Sequence, residues 1–222
     1  MKERPIIFNA EMIRAILNNR KSQTRRVIKP QPNEPSGGSG WQPWRYFPCV
    51  GKWCLWQPWR SNDGNDTGAH VRATETSDYP YLRCPYGVPG DRLWVRETWC
   101  EIDNTEFGGD KYVDYKATPE DGCDEAPGGW HAVEPKDRLL RWCSPRYMPR
   151  WASRITLEIT DVRVQRVQEI SEADIIAEGC PSEYLLGKNW FMSFWNSINA
   201  KRGYPWESNQ WVWALTFKRV DQ

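Results

Sequence analysis

The chain has 222 residues, which is enough for one substantial domain with a buried core. Its 30 basic and 29 acidic side chains nearly cancel, which excludes a strong global field for nucleic acid or membranes, so an anionic partner would require a local patch. Tryptophan is unusually frequent, with 15 residues, and such rings fill cores, anchor loops or stack on bases.

The chain start and the cysteines indicate a cytoplasmic protein. Residues 1–5 carry charges, no apolar run of signal-peptide length follows, and no window approaches the length of a transmembrane helix. The 7 cysteines are odd in number and scattered, which is typical of reduced thiols. Zinc ligands are the alternative, but no C-x-x-C pair occurs, so we expect neither a metal nor a cofactor. The residues of that alternative are Cys49, Cys54, Cys84, Cys100 and His70.

The first predicted element is a short helix. The apolar spacing within residues 7–17 fits one helix face, with Asn9 as N-cap and Asn18 and Asn19 at the exit. The following stretch, "NNRKSQTRR" at residues 18–26, is either a solvated helix end or a set of groups for an anionic or polar ligand. Val27 and Ile28 then predict a strand.

Two irregular regions, at about residues 31–82 and 103–144, are predicted to be insertions in a single domain of residues 1–222. The first contains the phrase "WQPW" twice, at Trp41 and Trp56, which predicts paired hairpin strands. Its tryptophans also suggest an alternative role, the binding of a host protein through an exposed aromatic surface.

The remaining chain predicts strands and short helices. Strands are expected at residues 93–98, 111–117 and 211–217, and "RITLEITDVRVQRV" predicts one long strand or two strands bent at Thr160–Asp161. Between them, "ISEADIIAEG" predicts a helix with Ser171 as N-cap and Gly179 at its exit, and "WFMSFWNSIN" predicts another. Since no βαβ rhythm is present, the fold class is α+β around a small barrel with flanking helices.

The order of these blocks resembles the ASCH domain of the PUA-like superfamily, in its phage and prophage branch. The blocks are the helix, "RKSQTRR", "PGDRLWVRE", "ITLEITDVRV", "ISEADIIAEG" and the terminal aromatic strand. The resemblance covers residues 1–30, about 84–100 and about 145–222. It implies a PUA-like barrel that binds RNA or a modified nucleobase in a cleft.

One compact ASCH protein is an amidohydrolase of N4-acetylcytidine with a lysine, a threonine and a glutamate. Its stretch "GRKT-x-T-x-R" is similar to residues 20–26, which implies catalytic roles for Lys21, Thr24 and Glu178. Asn19 stands in place of the glycine, a change that a left-handed turn accepts.

The chemistry of this trio fits amide hydrolysis. Thr24 would supply a hydroxyl or hold a water, Lys21 would act as base if its neutral form is favoured, and Glu178 would orient the lysine or the base. Further ligand-binding residues are predicted at Arg20, Arg25, Arg26 and Glu97. The expected partners are a nucleobase, a nucleoside or a single-stranded nucleic acid, with or without turnover, and no membrane.

Overall fold

The computed structural model describes residues 1–31, 42–47, 52–56, 81–103, 110–119, 141–181 and 187–220. The helices in these ranges are α1 (Ala10–Leu17), α2 (Glu172–Ala177) and α3 (Gly187–Asn199). The strands are β1 (Glu3–Ile7), β2 (Gln23–Val27), β3 (Gln42–Phe47), β4 (Lys52–Trp56), β5 (Tyr81–Leu82), β6 (Arg92–Arg96), β7 (Trp99–Asp103), β8 (Lys111–Tyr115), β9 (Thr156–Arg166) and β10 (Trp211–Val220).

The strands form three sheets. A five-stranded sheet has the order β1-β6-β9-β10-β2, a three-stranded sheet the order β3-β4-β5, and β7 pairs with β8. The predicted α+β class is therefore confirmed. Over the ranges that the structure describes, the strands do not close into a barrel, and the PUA-like barrel stays a prediction.

The chain divides into two compact units. The first unit consists of Met1–Ser22, Pro89–Thr160 and Phe217–Gln222, and the second of Gln23–Val88 and Asp161–Thr216. In the first unit β1 runs parallel to β6, and Trp99, Met148 and Ala152 pack together. In the second unit β10 runs antiparallel to β2. The core of the second unit contains Val167, Ile170, Ile175, Phe191, Trp195, Trp206 and Val212.

Helix α1 begins and ends where its sequence predicts. The Asn9 side chain accepts a hydrogen bond from the Met12 amide at 2.9 Å, and the Asn18 amide donates to the Arg14 carbonyl at 3.0 Å. Asn19 has a φ of 55°, a left-handed conformation that asparagine adopts more readily than most residues. The helix exit is therefore defined by local polar groups.

The basic stretch after α1 is only partly solvated: Asn18, Asn19, Arg20 and Ser22 are exposed, whereas Lys21 and residues 23–25 are buried. Strand β2 begins at Gln23, before the predicted Val27, because residues 23–27 pair with residues 212–216 of β10. Lys21 and Gln23 are each 3% exposed and Thr24 is 1% exposed. The solvated-end interpretation is therefore wrong for these residues, and their polar groups are buried.

The long strand β9 is continuous but exchanges faces in its middle. Leu157 and Ile159 are buried, and so are Val162 and Val164, whereas Thr160 and Asp161 between them are exposed. Buried positions thus move from odd to even numbers at Thr160–Asp161. Of the two predicted alternatives, the structure therefore has the single long strand, which continues through Thr160 and Asp161.

The "WQPW" repeat marks a hairpin, as predicted. Strands β3 and β4 are antiparallel, with Gln42 opposite Trp56 and Phe47 opposite Lys52. Most of the first insertion lies outside the described residues, as do residues 104–109 and 120–140 of the second. The alternative role of host-protein binding falls mainly on those residues.

Candidate functional site

Lys21 lies in the first unit, directly before β2. Its amide donates to the Ala15 carbonyl at 3.0 Å, which continues the hydrogen bonding of the α1 exit. Its Nζ lies 6.0 Å from the centre of the Phe8 ring, and Phe8 itself is 2% exposed. An ammonium beside an aromatic ring at this depth is partly removed from water, which is costly unless other groups compensate.

Thr24 and Glu178 lie in the second unit. Thr24 is in β2 opposite Leu215 of β10, and its side chain is buried. Glu178 is the C-cap residue of α2, 3% exposed, and its amide donates to the Asp174 carbonyl at 2.8 Å. Gly179 follows with a φ of 97°, which ends the helix as the sequence predicts. The local signal for helix α2 thus places Glu178 at its buried end.

Glu178 belongs to a buried polar cluster of the second unit. Its Oε1 accepts a hydrogen bond from Arg25 Nη1 at 3.1 Å, and Arg25 Nη2 donates to Asp174 Oδ2 at 2.8 Å. Arg25 Nη1 also donates to Gln23 Oε1 at 2.6 Å. Asp174 Oδ1 accepts from Arg163 Nη2 at 3.0 Å and from Gln23 Nε2 at 3.1 Å. We call Gln23, Arg25, Arg163, Asp174 and Glu178 the Arg25 cluster.

The Arg25 cluster is balanced in charge, with two guanidinium groups and two carboxylates. The side chains of Arg25 and Glu178 are 1% and 2% exposed, so neither charge is screened by bulk water. The Arg25 guanidinium carbon lies 5.8 Å from the centre of the Phe191 ring, which covers it with an apolar surface. Since the guanidinium already contacts two carboxylates, its clearest role in the structure is to hold Glu178 and Asp174.

Gln23 and Asp174 are polar members of this cluster that the sequence did not predict. Side chains alternate along a strand, so Gln23 and Arg25 leave β2 on one side, and Thr24 and Arg26 on the other. The signal for Gln23 in the sequence was its spacing of two residues from Arg25, which places both side chains on one face of a strand. Asp174 was visible only as the third residue after the Ser171 cap, whose side chain accepts from the Asp174 amide at 3.1 Å.

The ionisation of Asp174 reflects the cluster. Burial alone would raise the pKa of its carboxyl, but hydrogen bonds from Arg163 and Gln23 and the charges of Arg25 and Arg163 outweigh burial. The pKa is lowered from 3.8 to about 2. Because the folded pKa lies below the unfolded one, this contribution to stability is present above about pH 4 and is lost as the pH falls towards about 2.

We therefore expect Asp174→Asn to remove part of the acid dependence of stability. Wild-type protein should lose on the order of 1–2 kcal/mol of unfolding free energy between about pH 4 and 2 that the variant does not lose, since partial exposure of the site reduces the full effect. Urea unfolding of both proteins at matched pH values measures the difference. Parallel pH curves for the two proteins would show that Asp174 is not responsible.

Arg20 and Arg26 have different environments. Arg20 is exposed, and its amide donates to the Ala15 carbonyl at 2.8 Å. Burial lowers the pKa of Arg26, against the opposing charges of Tyr86 and Glu178. Burial likewise raises the pKa of the Tyr86 hydroxyl, which the charge of Arg26 lowers. The ligand-binding roles predicted for Arg20 and Arg26 stay predictions.

Glu97 lies in the first unit, in a bidentate ion pair. Arg154 Nε and Nη2 donate to its two carboxylate oxygens, each at 2.9 Å, and Glu97 is 2% exposed. The Arg154 guanidinium carbon lies 3.9 Å from the centre of the Tyr115 ring and its Nη1 donates to Thr118 at 2.8 Å. Burial raises the pKa of Glu97, and Arg154 opposes this through its hydrogen bonds and charge. A structural pair with Arg154 is thus the observed environment, and ligand binding by Glu97 stays a prediction.

The described residues contain neither a group arranged to bind a metal ion nor a membrane-spanning helix. In the ranges available for description, no three His, Cys, Asp or Glu side chains are arranged to hold a metal ion. Cys84 and Cys100 form no disulfide, while Cys49 and His70 lie outside the described residues. None of the helices seen in the structure has the length and apolar character needed to cross a bilayer.

Comparisons with protein-family models, curated proteins and solved structures gave no match to this chain.

Proposed function

We propose that this protein recognises a nucleobase, as a nucleoside or within a single-stranded nucleic acid, and hydrolyses an N4-acylated cytosine derivative. Lys21, Thr24 and Glu178 are the proposed reacting groups, by their resemblance to the ASCH amidohydrolase motif. In this proposal the fold is PUA-like, as the order of sequence blocks implies. The observation that carries the proposal is burial: all three polar side chains are 1–3% exposed.

Burial is informative because polar side chains are costly to keep out of water. A lysine, a threonine and a glutamate at such depth need compensating partners or a ligand, and enzymes place reacting groups in such environments. Arg25 also supports the proposal, because its 3.1 Å contact fixes one carboxylate oxygen of Glu178. A carboxylate fixed in this way keeps one orientation as a ligand approaches.

The proposed reaction converts N4-acetylcytidine and one water into cytidine and acetate. An oxygen, from water or from the Thr24 hydroxyl, adds to the acetyl carbonyl carbon. Lys21 in its neutral form accepts the proton of that oxygen, and the C–N bond then breaks as N4 takes up a proton. If Thr24 is the nucleophile, water releases the acetyl group from its oxygen in a second step. Glu178 accepts a hydrogen bond from the exocyclic N–H of the substrate.

Incubation with N4-acetylcytidine, followed by chromatography, tests this proposal. We expect cytidine and acetate from the wild type, and Lys21→Ala and Thr24→Ala should each reduce the rate by about 100-fold or more. Lys188→Ala removes an exposed lysine and should leave the rate unchanged. Circular dichroism of each variant confirms that it is folded.

Two results would contradict the hydrolytic proposal: no cytidine at enzyme concentrations equal to substrate, or full activity in Lys21→Ala. Calorimetric titration with cytidine and N4-acetylcytidine separates recognition from turnover. Saturable binding that is lost in Lys21→Ala, without product, would leave recognition standing alone. Neither binding nor product would refute the whole proposal.

A further inference from the structure

One surface of the first unit carries a repeated pairing of arginine with an aromatic residue. Residues 145–152 form two single-turn 3-10 helices, Pro145–Tyr147 and Arg150–Ala152. Arg146 is followed by Tyr147, and Arg150 by Trp151. We call Arg146, Tyr147, Arg150 and Trp151 the Arg-aromatic surface.

The two rings of this surface point outwards. Tyr147 is 74% exposed and Trp151 is 64% exposed, whereas Met148 and Ala152, next to them in the chain, are each 1% exposed. The buried neighbours pack against Trp99 and attach both turns to the core. The exposed rings thus lie on turns that are themselves anchored in the core.

Trp151 is unusual among the tryptophans of the described residues. Trp94, Trp99, Trp195, Trp206 and Trp213 are all 8% exposed or less. Trp151 also keeps a defined orientation, because its ring meets the edge of Trp99 at 88° with the ring centres 6.0 Å apart. A large ring that is oriented but exposed is ready to stack on a flat partner at a small cost in side-chain entropy.

The charge around the rings is positive. No acidic residue occurs from Arg141 to Arg154, a segment with four arginines, of which Arg154 is paired with Glu97. Arg150 contacts Glu3 at 3.1 Å, but both side chains are about 40% exposed, so water screens this pair. Arg96 Nη1 donates to the Arg146 carbonyl at 3.1 Å and adds a further guanidinium beside the turn. In a chain of net charge +1, this is a local concentration of cations.

We propose that the Arg-aromatic surface binds single-stranded nucleic acid, with Tyr147 and Trp151 stacking on bases and Arg146 and Arg150 contacting phosphates. Exposed rings interleaved with arginines are the combination that sequence-tolerant single-strand binders use. A hydrophobic protein or lipid partner would be matched by exposed aliphatic side chains, and Met148 and Ala152 are instead buried. The surface rests on its own residues and requires no turnover at Lys21.

Fluorescence anisotropy with labelled oligothymidylate and oligouridylate tests the proposal. We expect salt-dependent binding by the wild type, and Trp151→Ala and Tyr147→Ala should each weaken it by about 5- to 150-fold. Trp151→Phe keeps a ring and should retain most of the affinity. Arg146→Gln should reduce the slope of log affinity against log salt by about 0.7. Lys201→Gln, at an exposed lysine of the second unit, is the matched control and should leave the slope unchanged.

A duplex of the same length provides the contrast. Because its bases are already stacked on one another, we expect the duplex to bind more weakly than the single strand. Equal affinity for duplex and single strand, or unchanged affinity in both ring variants, would overturn the proposal. So would the absence of oligonucleotide binding together with a protein partner whose binding depends on Trp151. Loss of oligonucleotide binding in Trp151→Ala with hydrolysis of N4-acetylcytidine intact would show that the surface and the proposed reaction are separate.

Discussion

Arg25→Met is expected to lower the free energy of unfolding by about 3–5 kcal/mol, one of the two largest stability effects that the structure indicates. The substitution keeps the apolar contact with Phe191 but removes the cation that lies between Asp174 and Glu178. Glu178 would be left buried beside Asp174 without the guanidinium that now contacts both. Removal of one partner from a buried ion pair costs far more than the net worth of the pair.

Urea unfolding at neutral pH measures this loss. Arg202→Met, at an exposed arginine of the same unit, is the control and should change stability by no more than about 0.5 kcal/mol. The double variant Arg25→Met with Glu178→Gln should be less destabilised than the sum of the two single variants, because the stranded charge is gone. A loss below about 1 kcal/mol in Arg25→Met would show that the cluster contributes little.

Arg154→Met is expected to lower the unfolding free energy by about 2–4 kcal/mol at neutral pH, by the same mechanism in the first unit. Glu97 is 2% exposed, and Arg154 satisfies both of its carboxylate oxygens. Without Arg154, burial alone acts on Glu97 and raises its pKa further. A carboxyl whose folded pKa exceeds the unfolded value gives full stability below about pH 4 and loses it as the pH rises through the folded pKa.

The deficit of Arg154→Met should therefore shrink as the pH falls from 7 towards about 4. Denaturant unfolding of the variant and the wild type across this range measures the change. In a Glu97→Gln background the same substitution should show no such pH dependence, since the ionisable group is absent. A deficit that is constant with pH would indicate lost packing against Tyr115 in place of an unpaired charge.

The sequence predicted the elements whose signals are local. Asn9 and Ser171 accept hydrogen bonds from their own helices, and Asn19 and Gly179 take left-handed conformations at the exits. Each of these features depends on residues within one turn, so a single chain shows them. In β10 the predicted face is buried at Trp213, Leu215 and Phe217, but Val212 and Ala214 on the other face are buried as well.

The start of β2 and the Arg25 cluster were not predictable because their causes lie far along the chain. Arg25 meets Asp174 across 149 residues and Glu178 across 153. Composition suggests that four cations after a helix belong in water, but of these only Arg20 is exposed, whereas Lys21 and Arg25 are buried. The proposed roles of Lys21, Thr24 and Glu178 came from resemblance to a motif, and burial adds support without assigning chemistry.

Because the buried positions of β9 change phase at Thr160–Asp161, the number of residues in the strand is more tightly constrained than the identity of these two residues. Because the two halves alternate in opposite phase, deletion of Thr160 would give the strand one uniform alternation and move Val162 and Val164 to the face of Leu157 and Ile159, away from the face on which they are now buried. Substitutions at exposed Thr160 or Asp161 preserve the phase and are tolerable on packing grounds. Insertion or deletion of a single residue at Thr160–Asp161 shifts the alternation for the rest of the strand. We therefore expect this segment to evolve by replacement at fixed length.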